Sequence, residues 1–275
     1  MHADEAEVGA HLHPWTTPPF IDEPGFRDND PSHAFMCELP EDLILAKLET
    51  LTTQIEEKIE ARPTAFRAGR YGINDPSARI LADLGYTVDS SVTPLMSWTT
   101  HPGLPHGNGG PDFRSHSARP FIISGTGDPG LLEIPVTIIP TSAILRRFPG
   151  LQGLHNSLPV RALSKATGRR ILRHQPVWLH PAHFEHTVGD LERVCGLQLK
   201  DSGVAVMMVH SSELMPGGSP RTPTQESVEA VLRRLDRFLA FVRSKHVTSM
   251  TLSAAAAEVR SRGHLATLSL KQDRS

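Results

Sequence analysis

The sequence predicts an α/β fold built around a largely parallel β-sheet, and three observations support this. Strand-like and helix-like segments alternate over the whole length, and the chain contains no internal repeat. Histidines or charged residues follow several of the strand-like segments. A chain of 275 residues is also long enough for one substantial core. We therefore expect a single domain over residues 1–275, with polar side chains gathered at one edge of its sheet.

The first half of the chain supplies three strands with a helix in each gap. EVGAHLH stops at Pro14, which has no amide hydrogen to continue a strand, and the proline-rich residues 14–26 predict a surface loop. Apolar residues at helical spacing, among them Ile44, Leu48 and Ile55, predict a long helix. The predicted elements are strand 7–13, helix 40–61, strand 64–69, helix 76–85 and strand 86–91.

The second half begins irregularly, because residues 97–131 are rich in glycine, proline, histidine and serine. We expect this stretch to be a long insertion or a lid loop. Beyond it, two apolar runs end at histidines, His180 and His210, and helical spacing returns after Thr224. The predicted elements are strand 131–137, strand 177–181, strand 204–210, a helix through Val228–Val242, strand 246–252 and helix 253–263.

Composition excludes several classes of protein. Lys and Arg number 28 against 30 Asp and Glu, a net charge of -2 without long runs of one sign, so nucleic acid and anionic membranes are not expected partners. No apolar stretch approaches the roughly 18 residues of a membrane helix, and the first ten residues do not resemble a signal peptide. We expect a cytoplasmic protein. Cys37 and Cys195 form no CxxC pair, so neither a disulfide framework nor a zinc ribbon is indicated.

His11 and His13 form the first candidate site. Residues two apart on a strand face the same side, so both imidazoles could reach one metal ion. A chain with 15 histidines will contain about one H-x-H by chance, so the spacing alone does not decide between a metal site and a structural pair.

The other histidines have two interpretations each. His180, His183 and His186 are spaced by three, but Pro181 opposes a helix through them, so a polar loop is favoured over a metal site. His210 is either a buried neutral histidine or a general acid. An imidazole suits the second role because its ordinary pKa, about 6.5, lets it protonate a leaving amine near neutral pH.

Five ordered motifs give the chain a resemblance to a known family. They span most of the sequence and fall at predicted strand ends. The chain resembles the polysaccharide deacetylases with a NodB-type homology domain, and in particular a branch related to lipopolysaccharide biosynthesis. The motifs are EVGAHLHPWTTPP (7–19), FRAGRYG (66–72), YTVDSS (86–91), EIPVT (133–137) and VMMVHSSELMPGGSP (206–220).

This resemblance implies a fold, a cofactor and a reaction. The fold would be a distorted (β/α) barrel. The cofactor would be a divalent metal, with zinc as the expected ion, held by one Asp and two His. The reaction would be hydrolysis of N-acetyl groups on a sugar or polysaccharide. Such an amide cleavage needs a nucleophilic water, a Lewis acid at the carbonyl and a proton for the departing amine.

The resemblance also implies roles for three histidines. His11 is similar to the first metal-binding histidine. The usual second one comes four positions later, where this chain has Trp15, so His13 takes that place in the HLHPW variant. His210 matches the histidine of the last motif, which implies the general acid.

For the charged residues the match is less direct. Arg67 resembles the arginine that holds the catalytic carboxylate, with Arg70 as the alternative because this motif is one residue longer than usual. Asp89 is similar to an acidic residue after the third strand. The early Asp-Asp motif, which would supply the base and a third metal ligand, is absent, since only MHADEA precedes Glu7. We expect a truncated start, and little or no activity from the 275-residue chain as given.

Two further hypotheses stay open. An amidohydrolase-like metal hydrolase would also begin with H-x-H and would use later histidines such as His180 and His210. A non-catalytic, glycan-binding remnant of the deacetylase fold would bind little metal. Metal content separates these alternatives from the deacetylase.

Overall fold

The computed structural model describes residues 6–23, 26–27, 34–101, 103–104, 107, 109–140 and 176–270. The chain packs into two compact units. Unit 1 combines Met1–Val136 with Ser249–Ser275, and unit 2 is Thr137–Thr248. Whether the two units act as the single domain expected from the sequence stays a prediction.

Unit 1 contains a six-stranded sheet in the order β1-β4-β5-β7-β6-β10. All neighbouring strands are parallel except β6, which runs antiparallel to β7. A short antiparallel hairpin, β2–β3, lies within the proline-rich segment. The strands are β1 (Ala10–Leu12), β2 (Asp22–Glu23), β3 (Phe26–Arg27), β4 (Ala65–Ala68), β5 (Val88–Asp89), β6 (Phe121–Ile123), β7 (Leu132–Glu133) and β10 (Thr267–Leu268).

Among the described residues of unit 1 there are three α-helices, and their sequences explain their bounds. Helix α1 (Glu41–Ile59) buries an apolar stripe that includes Leu43, Ile44 and Leu48. Helix α2 (Asp75–Asp83) begins after Asn74, whose side chain accepts a hydrogen bond from the Ser77 amide. The third, α5 (Leu252–Ser261), follows unit 2 in the chain and buries Ala255, Ala256 and Val259.

The described residues of unit 2 contain a two-stranded antiparallel sheet and two α-helices. Strands β8 (Ile138–Ile139) and β9 (Val177–Trp178) are antiparallel. They precede helices α3 (Val188–Ser202) and α4 (Gln225–Ser244). The apolar run 204–210 is not a strand, although its backbone bonds to Thr137 and Leu179.

The predicted α/β fold with a largely parallel sheet is confirmed. The barrel implied by the resemblance is not, because the sheet stays open between β1 and β10 over the residues described. The predicted strands at 204–210 and 246–252 were wrong, and β6 within the predicted lid (97–131) was missed. Among the described residues, no helix combines the length and the apolarity needed to cross a membrane.

Candidate functional site

The two N-terminal histidines lie side by side in unit 1. His11 is on β1 and His13 directly follows it, so both project from the same side of an extended segment. Their ring centroids are 4.6 Å apart with the planes at 90°. The Nδ1–H of His11 donates a 2.7 Å hydrogen bond to the Arg67 carbonyl oxygen. This bond fixes the tautomer and leaves Nε2 of the neutral ring with a lone pair, as is usual for a metal-binding histidine.

Gly69 and Lys47 fix the position of His13 and the loop that follows it. A Cβ atom at Gly69 would overlap the His13 ring and the Leu12 carbonyl, so this position of FRAGRYG must be glycine. The fully buried ammonium of Lys47, on α1, donates to the Pro14, Thr17 and Pro19 carbonyls. The donor–acceptor distances are 3.0, 2.6 and 2.7 Å, respectively. A single cation thus satisfies three carbonyls of an irregular segment.

Arg67 lies beside His11 in the sheet register and reaches towards β5. Its guanidinium donates to the Ser90 carbonyl at 2.8 Å and to the Ser90 hydroxyl at 2.9 Å. Its charge also lowers the pKa of Asp89, although it is the smallest of the contributions to that pKa. The alternative, Arg70, instead lies over the Phe35 ring at 3.9 Å. The structure therefore brings His11, Arg67 and Asp89 onto neighbouring strands.

Asp89 is buried and bonded to a second acid that the sequence did not single out. It pairs with Glu133 in the register of β5 and β7, and both side chains are fully buried. Ser91 donates its hydroxyl and its amide hydrogen to the Asp89 carboxylate, and Val92 donates its amide hydrogen to Glu133. Burial, followed by the Asp89 charge, raises the pKa of Glu133 well above its ordinary value. Burial likewise raises the pKa of Asp89, so the protonated form of each carboxyl group is favoured in this buried pair.

In unit 2, His210 is held by a buried carboxylate. Its side chain is 58% exposed, whereas that of Glu213 is only 3% exposed. The Glu213 Oε2 atom accepts hydrogen bonds from the His210 amide at 2.9 Å and from His210 Nδ1 at 3.3 Å. Since a carboxylate only accepts, the proton lies on Nδ1, and Nε2 is left for a reacting group. This is the geometry of a general acid or base with its orienting partner.

His180 approaches the same carboxylate oxygen of Glu213. Its Nε2 atom is 3.4 Å from Glu213 Oε2, and its Nδ1 atom accepts a hydrogen bond from the Ala182 amide at 3.2 Å. Burial, followed by the charges of His183 and His210, lowers the pKa of His180 to about 3, so the ring is neutral at pH 7. Because Nδ1 accepts, the single ring proton is on Nε2 and faces the carboxylate.

The histidines fit a metal unequally. His180, His210 and Glu213 have ligand atoms within 4.8 Å of one another and by distance could bind one ion. The proton on His180 Nε2 argues against that use, whereas the Nε2 lone pair of His11 suits it. Over the described residues, no third His, Cys or carboxylate joins His11 and His13 within that distance. The pair therefore fits two positions of a coordination shell, fewer than the three protein ligands usual in catalytic zinc sites.

Sequence reasoning missed both buried carboxylates, Glu133 and Glu213. Glu213 follows His210 by three residues, which is the spacing of a helix capping box. A short 3-10 helix begins after His210, at Ser211. That spacing was a signal available in HSSE. Glu133 lies in the EIPVT motif, but only the sheet register places it beside Asp89.

Comparison with known proteins gives little beyond this. No protein-family description matches the chain, and no curated protein does. Among solved structures, a candidate polysaccharide deacetylase from Mycobacterium smegmatis matches with a TM-score of 0.47 and 17% sequence identity. The match covers 88% of this chain and 66% of that chain, so this chain corresponds to slightly less than two thirds of that protein.

Proposed function

We propose that this protein is a metal-dependent hydrolase that removes N-acetyl groups from a sugar or polysaccharide. The observation that carries the chemistry is the exposed His210 ring, oriented through Nδ1 by the buried Glu213 carboxylate. The five motifs shared with the deacetylases support the substrate class. The link to lipopolysaccharide biosynthesis belongs to the same proposal.

Each residue has a role that its surroundings support. His210 protonates the departing amine from Nε2, and Glu213 stabilises the imidazolium that precedes this transfer. His11 and His13 would hold a divalent ion, with zinc as our choice. When bound, such an ion supplies a Lewis acid for the amide carbonyl and a more acidic water. Arg67 holds the edge of β5 by bonding to Ser90.

From this proposal we expect the chain to hydrolyse its substrate slowly. Asp89 and Glu133 are both fully buried, so neither carboxyl group is available to a water molecule at the surface. Loss of a general base commonly costs about 10²–10⁴-fold in rate. We expect weak acetate release from N-acetylated chito-oligosaccharides in the presence of zinc.

Two substrates test the role of His210 separately from that of the metal. The amine of an N-acetylated oligosaccharide must be protonated to leave, whereas the phenolate of 4-nitrophenyl acetate need not be. We expect His210→Ala to lower oligosaccharide turnover by about 10²–10⁴-fold and to spare ester hydrolysis. His11→Ala should abolish the zinc-dependent part of both reactions. His246→Ala, at an exposed histidine, is the control.

Two results would overturn the proposal. Oligosaccharide turnover that survives His210→Ala would show that His210 is not the general acid. Turnover unaffected by a chelator would show that the reaction does not need a metal. Tight zinc binding that depends on both His180 and His210 would instead favour the amidohydrolase-like alternative. A glycan-binding remnant would retain oligosaccharide with neither turnover nor bound metal.

A further inference from the structure

The loop His180–His186 carries a second group of possible metal ligands that the proposed reaction does not use. His183, Glu185 and His186 each offer one ligand atom, and these atoms lie within 4.8 Å of one another. Proline at 181 excludes a helix here, but two successive turns replace it. The His183 amide bonds to the His180 carbonyl at 3.1 Å, and the His186 amide bonds to the His183 carbonyl at 3.2 Å. These turns group side chains that a strand would separate.

The contact between His183 and Glu185 does not have hydrogen-bond geometry. His183 Nδ1 lies 3.2 Å from Glu185 Oε1, yet this buried nitrogen makes no hydrogen bond to any residue that the structure describes. Ligands about 2.0–2.2 Å from a tetrahedral zinc ion are separated by about 3.3–3.6 Å. The observed separation therefore suits two neighbours in one coordination shell.

The surroundings hold this loop in place. The Arg234 guanidinium, on α4, donates to the Pro181, His183 and His186 carbonyls at 2.6, 3.1 and 2.7 Å. The Trp178 ring stacks on the His183 ring with centroids 5.3 Å apart. Ligands fixed in this way lose little freedom on binding, which is a condition for a specific site.

The charges nearby are mixed. The positive charge of Arg221 acts on His183 and disfavours the binding of a cation there. The Glu213 carboxylate lies 3.8 Å from the Arg221 guanidinium and offsets this charge. Glu185, with a side chain 50% exposed, adds a negative charge and leaves the site open to solvent. Two imidazoles with one carboxylate favour a first-row transition metal over calcium or magnesium.

We propose that His183, Glu185 and His186 form a site for a divalent transition metal such as zinc, distinct from the His11 and His13 pair. A metal there ties the 183–186 turn together, and it does not depend on the proposed deacetylation. In this proposal the loop binds a metal that stabilises its turn, whereas the sequence favours a polar loop without a metal.

Titration of the full chain with Co²⁺, read by visible absorption, tests this site, and competition with Zn²⁺ gives the affinity. Loss of a residue that only hydrogen-bonds to a metal ligand commonly lowers the metal affinity by about 10–100-fold. Because they remove ligands themselves, we expect His183→Ala, His186→Ala and Glu185→Gln each to lower the cobalt affinity by more than this. His11→Ala, His210→Ala and the exposed His246→Ala should leave its spectrum and affinity unchanged.

Because Glu185 is half exposed, Glu185→Gln gives a folded variant even if His183→Ala does not fold. Unchanged cobalt spectrum and affinity in Glu185→Gln and His186→Ala would overturn the proposal. Loss of all bound cobalt in His11→Ala would do the same, by assigning the ion to unit 1. Neither result depends on acetate release, so the proposed function is tested separately.

Discussion

The two units secure their histidine-bearing loops in the same way. In unit 1, Lys47 on α1 donates to three carbonyls of the segment after β1. In unit 2, Arg234 on α4 donates to three carbonyls of the loop after β9. Irregular backbone lacks the ladder partners of a sheet, so a cation from a neighbouring helix satisfies its carbonyls. The difference is in burial, since Lys47 is completely enclosed and Arg234 is partly exposed.

The units also treat their buried carboxylates differently. In unit 1 Asp89 and Glu133 meet each other, and burial raises the pKa of both carboxyl groups. In unit 2 Glu213 meets the rings of His180 and His210. A carboxylate surrounded by donors can orient a histidine, whereas a pair of carboxyl groups holds two strands together.

The largest expected effect comes from Lys47→Met. Methionine keeps much of the chain length but leaves three carbonyls without their donor, at a net cost of about 3 kcal/mol in the free energy of unfolding. Urea unfolding followed by fluorescence measures it, and Trp15, which contacts His13, reports on the loop. Lys58→Met, on the exposed side of α1, should change the free energy by less than about 0.5 kcal/mol.

Replacement by arginine sharpens this test. A planar guanidinium cannot match a cage built around a single ammonium, so Lys47→Arg should also destabilise the chain. If the unfolding curves of Lys47→Met and Lys58→Met coincide, the hydrogen bonds from Lys47 to the Pro14, Thr17 and Pro19 carbonyls contribute nothing to the free energy of unfolding.

A smaller effect is expected for Arg234→Met. The same number of carbonyls loses its donor, but water can reach a partly exposed position, so we expect a loss of about 1–2 kcal/mol. Urea unfolding with Trp178 as reporter measures it, and Arg237→Met, exposed on the same helix, is the control. A loss as large as that of Lys47→Met would contradict the role given to burial.

The smallest effect, and one that changes with pH, is expected for Glu133→Gln. Burial and Asp89 raise the pKa of Glu133, so its contribution to stability is present at low pH and lost as the pH rises through that pKa. At pH 5 the neutral amide mimics the protonated acid, and we expect a change of under about 1 kcal/mol. Between pH 5 and pH 8, the variant should become progressively more stable relative to the wild type.

Chemical denaturation at several pH values measures this difference. Subtracting the two curves removes the titration of groups that do not contact Glu133, including His180 and His183. Glu49→Gln, at an exposed acid on α1, is the control. A flat difference for Glu133→Gln would mean that the fold does not raise the pKa of Glu133.

The sequence was informative where local rules decide the structure. Helices α1, α2 and α4 were predicted because apolar spacing and capping residues are local signals. The alternation of a strand likewise placed His11 and His13 on one side. Strands β6 and β10 were missed because they contain two or three residues each, and only their pairing with distant strands defines them.

The candidate sites were harder to predict, because their geometry depends on distant contacts. Nothing local indicates that Gly69 lies against His13, or that Lys47 reaches across 28–33 positions to the loop carbonyls. His180 and Glu213 are 33 positions apart and meet only in the folded unit. For HPAHFEH the sequence favours a polar loop, because of Pro181 and the single carboxylate, and the structure has a loop of two turns there.

The discontinuity of unit 1 matters for biosynthesis. Its last strand, β10, pairs with β6, and Ser269 and Leu270 donate hydrogen bonds to Asp75. All of unit 2 is translated before these residues leave the ribosome, a delay of roughly 5–20 seconds at the usual elongation rate. During this interval β6 presents an unpaired sheet edge in the nascent chain, the kind of surface that chaperones shield and that promotes aggregation. Slower translation of residues 137–248 would lengthen the exposure, so expression conditions should affect the soluble yield through unit 1 more than through unit 2.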